Sequence, residues 1–226
     1  MYLIGDIGNT EVKIVLFDNK KKILKKVILK TNKVNNYYIL IKLKFIRQNI
    51  KQINKILFSS VVPSVFSTFK SFFKKKFNKK CYELKDIKLN KIINIKVNKK
   101  QVGSDRLANA IGVISKNKNF IIVDFGTATT FDVVVKDTYL GGVIAPGVQL
   151  SLKTLSSKAK LIPKINLSKN TNVIGKNTIS AVRSGFYWGY AGLIDNIIKL
   201  LISTKSDYAS NIINRTFPDG LDVEVF

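Results

Sequence analysis

Asp6-Ile7-Gly8-Asn9-Thr10 and Asp124-Phe125-Gly126-Thr127-Ala128-Thr129-Thr130 share one plan: an apolar strand ends in an acid, a glycine turn follows, and a return strand begins. The incoming strands are 2–7 and 119–124, and the return strands are 12–17 and 131–136. Apolar and β-branched runs of this length, bounded by Gly, Asn and Thr, read as hairpins. Their recurrence in both halves of the chain is a weak internal repeat. It predicts two related α/β lobes, 1–100 and 101–226, facing each other across a cleft.

Working outward, the turn Asp18-Asn19-Lys20 leads to a strand over 23–29, which completes a three-stranded meander. Apolar residues at helical spacing predict a helix over 37–50, and 56–60 reads as a short buried strand. Pro63-Ser64 opens a helix over 65–77 with Phe66, Phe69 and Phe73 on its core face. Residues 84–100 are rich in Lys and Asn and carry no periodic signal. A helix beginning near Ser104 continues through 107–115. Past the second hairpin come a strand at 139–143, a helix at 146–155 and a long, mostly apolar helix at 179–201.

The turns have chemistry of their own. Glycine lets the backbone approach a ligand and present its N–H groups, which favours anionic oxygen. Asn9 and Thr10 add side-chain donors, Asp6 can hold Mg²⁺ directly or through water, and Lys13 supplies a positive charge for phosphate. An ordinary β-hairpin would use the same Asn and Gly. Two such hairpins with two acids are what a cleft kinase needs to grip a nucleoside triphosphate and its metal. A third element, Gly103-Ser104-Asp105-Arg106, opens a helix, where backbone N–H groups favour an anion. Arg106 can pair with a carboxylate and Asp105 can accept a hydroxyl proton; equally, Ser104 or Asp105 could simply cap the helix.

Composition narrows the field. A 46% apolar content with only 4 prolines over 226 residues supports a packed globular core. No apolar run reaches the roughly 18 residues of a membrane-spanning helix. The opening Met1-Tyr2-Leu3-Ile4-Gly5-Asp6 lacks the basic region and apolar stretch of a secretory signal, so none is expected. The net charge of +25 raises nucleic-acid binding. The lysines, however, are scattered among Asn and Ile, and arginine occurs only at Arg47, Arg106, Arg183 and Arg215. Shared AT-rich codons account for that bias, so specific nucleic-acid binding is not expected. The chain has no histidine, which removes His-based triads and most zinc chemistry. Any general base is therefore Asp, Glu, Lys or Cys. The single cysteine, Cys81, cannot form an internal disulfide and fits a reducing, cytoplasmic compartment.

Further motifs fall in a fixed order around these: Ser59-Ser60-Val61-Val62-Pro63, then Gly141-Gly142-Val143-Ile144-Ala145-Pro146-Gly147, Ile174-Gly175-Lys176-Asn177-Thr178, Ser184-Gly185 and Gly189-Tyr190-Ala191-Gly192. Together with the two hairpins and Gly103-Ser104-Asp105-Arg106, the series resembles the type III pantothenate kinases across about residues 1–200. The resemblance implies a duplicated ribonuclease-H-like α/β fold of the actin/hexokinase-like (acetate and sugar kinase) superfamily, with two lobes and a central cleft. It implies ATP-dependent phosphorylation of pantothenate to 4′-phosphopantothenate, the first step of coenzyme A synthesis, using Mg²⁺ and a monovalent cation (K⁺ or NH₄⁺), in a homodimer. By the same resemblance Asp6, Ile7, Gly8, Asn9, Thr10, Glu11, Val12 and Lys13 would bind the ATP phosphates and metal, and Thr127 would contact ATP. Gly103, Ser104, Asp105 and Arg106 would hold pantothenate, with Asp105 taking the proton of its primary hydroxyl. Thr178 would contact pantothenate and Asp124 would ligate the monovalent cation.

Two departures from the family pattern are visible. Lys96 and Lys99 stand where the substrate-side loop usually carries a Tyr and a Pro. After Leu201, where the family continues with a Gly-Gly strand-turn and a closing helix, residues 203–226 offer no such turn, so lost or remodelled closing elements are expected. Two other readings accommodate these departures: a weakened relative serving as an accessory or regulatory binding protein, and a kinase for another hydroxy-carboxylate or a sugar.

Overall fold

The computed structural model describes residues 1–168, 172–203 and 223–225. The chain divides into two compact units, Met1–Gly112 and Val113–Phe226. The division falls at 112/113 and not at 100/101. Segment 103–106 is tied to the first half of the chain through the hydrogen bond of Ser104 to Glu83 described below.

In the first unit the elements are β1 (Tyr2–Ile7), β2 (Glu11–Phe17), β3 (Ile23–Lys30), α1 (Asn36–Lys42), α2 (Lys44–Asn49), β4 (Lys55–Ser60), α3 (Pro63–Phe77), β5 (Cys81–Glu83), the two-residue β6 (Asn94–Ile95) and α4 (Ser104–Val113), whose last residue crosses the division. Sheet order is β3-β2-β1-β4-β5. The meander pairs antiparallel, whereas β4 joins β1, and β5 joins β4, in parallel. Parallel pairing requires crossovers, which α1, α2 and α3 supply. The expected single helix over 37–50 is two helices, broken at Leu43 (φ −106°, ψ 31°). Asn35 caps α1 by accepting from Tyr38 N–H at 2.8 Å. Pro63 opens α3, and Asn78 in a left-handed conformation (φ 50°) closes it.

Strand alternation sorts the first sheet into two faces. Leu3, Ile7, Val12, Ile14 and Leu16 bury inward with Ile39, Ile46 and the α3 phenylalanines Phe66, Phe69, Phe72 and Phe73. Phe58 of β4 stacks on Phe69 with centroids 5.0 Å apart. Burying each such side chain contributes about 1.5–3 kcal/mol, which fixes how β4 sits beside β1.

The second unit contains β7 (Asn119–Phe125), β8 (Ala128–Val135), β9 (Thr138–Pro146), α5 (Val148–Lys158), α6 (Thr178–Ser203) and β10 (Val223–Val225). β7, β8 and β9 form an antiparallel meander like that of the first unit, and β10 lies parallel to β7. One face buries Ile121, Val123, Phe131 and Ala145 beneath Leu193, Ile194, Ile197, Ile198 and Leu201 of α6. Asp132 and Tyr139 are both fully buried, and the tyrosine hydroxyl donates to the carboxylate at 2.6 Å. No helix among the described residues is long and apolar enough to cross a membrane. Of the expected remodelling over 203–226, residues 204–222 and 226 lie outside the described residues. Ser203 ends α6, and Val223–Val225 supply a strand beside β7 where none is legible in the sequence.

Candidate active site

The β1–β2 register sets Asp6 opposite Lys13 and Ile7 opposite Val12. With Ile7 and Val12 in the core, Asp6 and Lys13 stand on the other face. Gly8 N–H donates to Glu11 C=O at 2.9 Å and closes the turn, leaving Asn9 and Thr10 exposed. The buried Thr31, just past β3, fixes this turn from behind. Its hydroxyl donates to Gly8 C=O at 2.8 Å and its N–H to Thr10 C=O at 3.0 Å. On the far side of β1, the parallel register sets Ser59 next to Asp6. Ser59 is 8% exposed, and its Oγ has no hydrogen-bond partner among the described residues.

Segment 59–63 then leads to the third motif. Val61 N–H donates to Ile7 C=O at 3.0 Å. Asp105 follows Ser104, the first residue of α4, and its Oδ1 accepts from Arg106 N–H at 2.8 Å. A Cβ at position 103 would lie 2.3 Å from Asp105 Oδ1, so a side chain there would turn the carboxylate away from its present place, and 3.7 Å from Val61 Cγ1, an ordinary contact. The expected segments 6–13 and 103–106 thus belong to one unit, joined through 59–63.

Glu83, which no sequence motif flags, anchors the start of α4. Its carboxylate accepts from the buried Ser104 hydroxyl and, on its other oxygen, from Lys85 N–H at 2.6 Å. Lys99 belongs to the same support. Its ammonium donates to Lys85 C=O at 2.8 Å and to Ile87 C=O at 3.4 Å, so the lysine at a usual Tyr/Pro position pins the loop. Cys81, in β5, is no candidate base. Burial pushes its thiol up to about 12, against a smaller lowering by Lys70, and keeps it protonated at neutral pH.

The second hairpin differs in detail. Gly126 N–H donates to Ala128 C=O at 2.9 Å, and Asp124 faces Thr130, so a hydroxyl takes the place that Lys13 holds opposite Asp6. Asp124, Gly126 and Thr127 are exposed. Gly147 N–H donates to Thr127 C=O at 3.0 Å, which holds the hairpin turn against the start of α5. Thr178, the other substrate residue expected in this unit, is exposed at the first position of α6. Just before it, Asn177 Oδ1 accepts from Ser180 N–H at 2.9 Å, while Ser180 Oγ accepts from Asn177 N–H at 3.1 Å. The reciprocal pair sets where the helix begins.

Among the described residues no three of Asp, Glu and Cys gather to hold a metal unaided. Mg²⁺ that accompanies a triphosphate keeps several waters and needs only one or two carboxylates. Asp6, with the unsatisfied Ser59 hydroxyl at its side, fits such a hydrated ion. For a monovalent cation, Asp124 and Thr130 form an oxygen set, and Thr130 Oγ1 is likewise buried with no partner among the described residues.

The sequence profile of the type III pantothenate kinases matches residues 2–200. The chain belongs to the type III pantothenate kinase family. It is 61% identical to the type III pantothenate kinase of Pelagibacter ubique (strain HTCC1062), covering 89% of this chain and 81% of that protein. A 36% identity to the type III pantothenate kinase of Koribacter versatilis (strain Ellin345) covers 89% of this chain and 80% of that one. Among solved structures, a protein assigned to the Baf family of transcriptional activators from Campylobacter jejuni matches with TM-score 0.51 at 21% identity. That match covers 86% of this chain and 78% of the other. A protein assigned as a 2-dehydro-3-deoxygalactonokinase from Sinorhizobium meliloti matches with TM-score 0.53 at 9% identity, covering 100% and 93%. Both share the α/β fold of this type III pantothenate kinase family member, with its two meander-based units.

Proposed function

We propose that the chain transfers the γ-phosphoryl group of ATP to the primary hydroxyl of pantothenate, giving 4′-phosphopantothenate and ADP. The observation that carries this reading is the placing of the Asp105 carboxylate. It belongs to the first turn of α4, just past Gly103, whose backbone lies beside Val61 of the segment that is hydrogen-bonded to the end of β1. Lys13 and the backbone N–H groups of the first turn hold the phosphates, Thr127 contacts the nucleotide, and Arg106 and Thr178 orient pantothenate. As oxygen–phosphorus bond formation proceeds, Asp105 takes the hydroxyl proton, and the bond from γ-phosphorus to the bridging oxygen of ADP breaks. One Asp base suffices because phosphoryl transfer depends mainly on position and charge. Asp6 would hold Mg²⁺, which neutralises phosphate charge when bound; Asp124 with Thr130 would hold K⁺ or NH₄⁺. The reading includes a cytoplasmic homodimer. Exposed apolar side chains on α6, among them Trp188 and Leu200, are available to such a contact.

The direct test is ATP consumption by the purified chain with Mg²⁺ and K⁺, with and without pantothenate. ADP release that depends on pantothenate is expected. A folded chain that makes no 4′-phosphopantothenate would favour the accessory-protein reading instead.

Two variants probe the supports. A hydrogen bond to a charged group is worth roughly 1.5–3 kcal/mol, so Glu83→Ala should lower kcat about ten-fold by loosening the start of α4. KM for ATP should hardly change, because the hairpin at 6–13 is untouched; a rise in that KM with kcat preserved would refute the anchoring role. Asp124→Ala should flatten the response of the rate to K⁺ or NH₄⁺ over a titration at constant ionic strength. An undiminished response would remove Asp124 from the cation site.

A further inference from the structure

Motif 59–63 takes no part in the phosphoryl-transfer steps above, yet it contains a buried hydroxyl that has no hydrogen-bond partner among the described residues. Ser59 is 8% exposed and shares a sheet rung with Asp6 and Lys13, Asp6 lying between the two in register. Its neighbour Ser60 is occupied, since Ser60 Oγ accepts from Val62 N–H at 3.1 Å. Ser59 Oγ has no such partner among the described residues. Buried polar groups are normally satisfied, and leaving one unpaired costs roughly 1–3 kcal/mol. An alanine would fill the same space without that cost, which suggests that a ligand completes the bond.

We propose that Ser59 is a further ligand-contacting residue, accepting a hydrogen bond from a water in the hydration shell of the Mg²⁺ ion that travels with ATP. The inference rests on the kinase reading and extends it. The neighbours decide between a metal-bound water and a bare phosphate oxygen. A phosphate placed against Ser59 would lie alongside the Asp6 carboxylate, and like charges repel. Water on a divalent cation is a strong donor that needs acceptors, and Mg²⁺ retains several waters. The Asp6 carboxylate and the Ser59 lone pairs are adjacent acceptors on the rung facing the phosphate turn. Lys13, on the other side of Asp6, remains available to the phosphates.

The experiment compares the full-length chain with Ser59→Ala. Calorimetric titrations use the non-hydrolysable β,γ-imido analogue of ATP, with Mg²⁺ and then with excess chelator, and melting temperatures are taken without ligand. One net hydrogen bond corresponds to a roughly two- to ten-fold change in affinity. The variant should bind the Mg²⁺–nucleotide that much more weakly and the metal-free nucleotide with unchanged affinity. Its unliganded melting temperature should stay the same or rise, since no protein hydrogen bond is lost. Equal affinities for the Mg²⁺ complex, an equal loss for the metal-free nucleotide, or a clear fall in unliganded melting temperature would each overturn the role of Ser59. If the wild-type chain bound no Mg²⁺–nucleotide, the kinase reading itself would fail and take this proposal with it.

Discussion

Asp105→Asn is expected to lower pantothenate phosphorylation on the order of 10³-fold, the range of a general base removed from a proton transfer. The substitution is nearly isosteric, and Arg106 N–H still finds an oxygen acceptor at Asn Oδ1, the atom it meets now at 2.8 Å. Nucleotide binding should survive, because the hydrogen bonds that shape the 6–13 turn, from Gly8 N–H to Glu11 C=O and from Thr31 to Gly8 and Thr10, do not involve Asp105. The check is a pair of measurements on one preparation: turnover with saturating pantothenate, and affinity for a non-hydrolysable ATP analogue. Turnover within a few-fold of wild type would strip Asp105 of its role as base, and with it the assignment of segment 103–106.

Gly147→Ala is expected to disturb the second hairpin and, with it, the proposed contact of Thr127 with ATP. The backbone at Gly147 is extended (φ −72°, ψ 144°), a conformation that alanine adopts freely, so the effect is steric alone. The new Cβ would lie 2.3 Å from Gly126 C=O and 2.5 Å from Thr127 C=O, both backbone atoms that cannot rotate away. Either the second hairpin moves or α5 does, and the hydrogen bond from Gly147 N–H to Thr127 C=O is lost. Overpacking of this kind costs about 1–3 kcal/mol, and misplacing a substrate-positioning group by an ångström can cost on the order of 10²-fold in rate. KM for ATP should rise at least ten-fold by this estimate, with a lower melting temperature. An unchanged KM would separate Thr127 from the nucleotide.

What the sequence disclosed depended on how local the cause was. Both hairpins were legible because strand alternation and glycine turns are written in consecutive residues, and the α3 phenylalanines because helical spacing repeats within one turn. The split between α1 and α2 was not. Leu43 is apolar and falls in phase with the helical pattern, while the break lies in its backbone torsions. Residues 84–100 resisted reading because they are held by side chain to main chain. A lysine donating to the carbonyls of Lys85 and Ile87 leaves no periodic trace. Glu83 lacked any signal for the same reason, since its partner Ser104 is distant in sequence. Ser59 stood inside a quoted motif, but its burial beside Asp6 follows from the parallel pairing of β4 with β1, which neighbouring residues cannot reveal.

That pairing also orders assembly in time. β1, β2 and β3 are joined by short turns and can pair as soon as they leave the ribosome, so the 6–13 hairpin takes shape early. β4 reaches β1 only after α1 and α2 have been made and the intervening chain has closed on itself, and such long-range contacts form slowly. The side of Asp6 that faces Ser59 is therefore completed after the hairpin itself. A substitution that weakens the stacking of Phe58 on Phe69 would delay the docking of β4 and leave the 6–13 hairpin formed before Ser59 reaches its place beside Asp6.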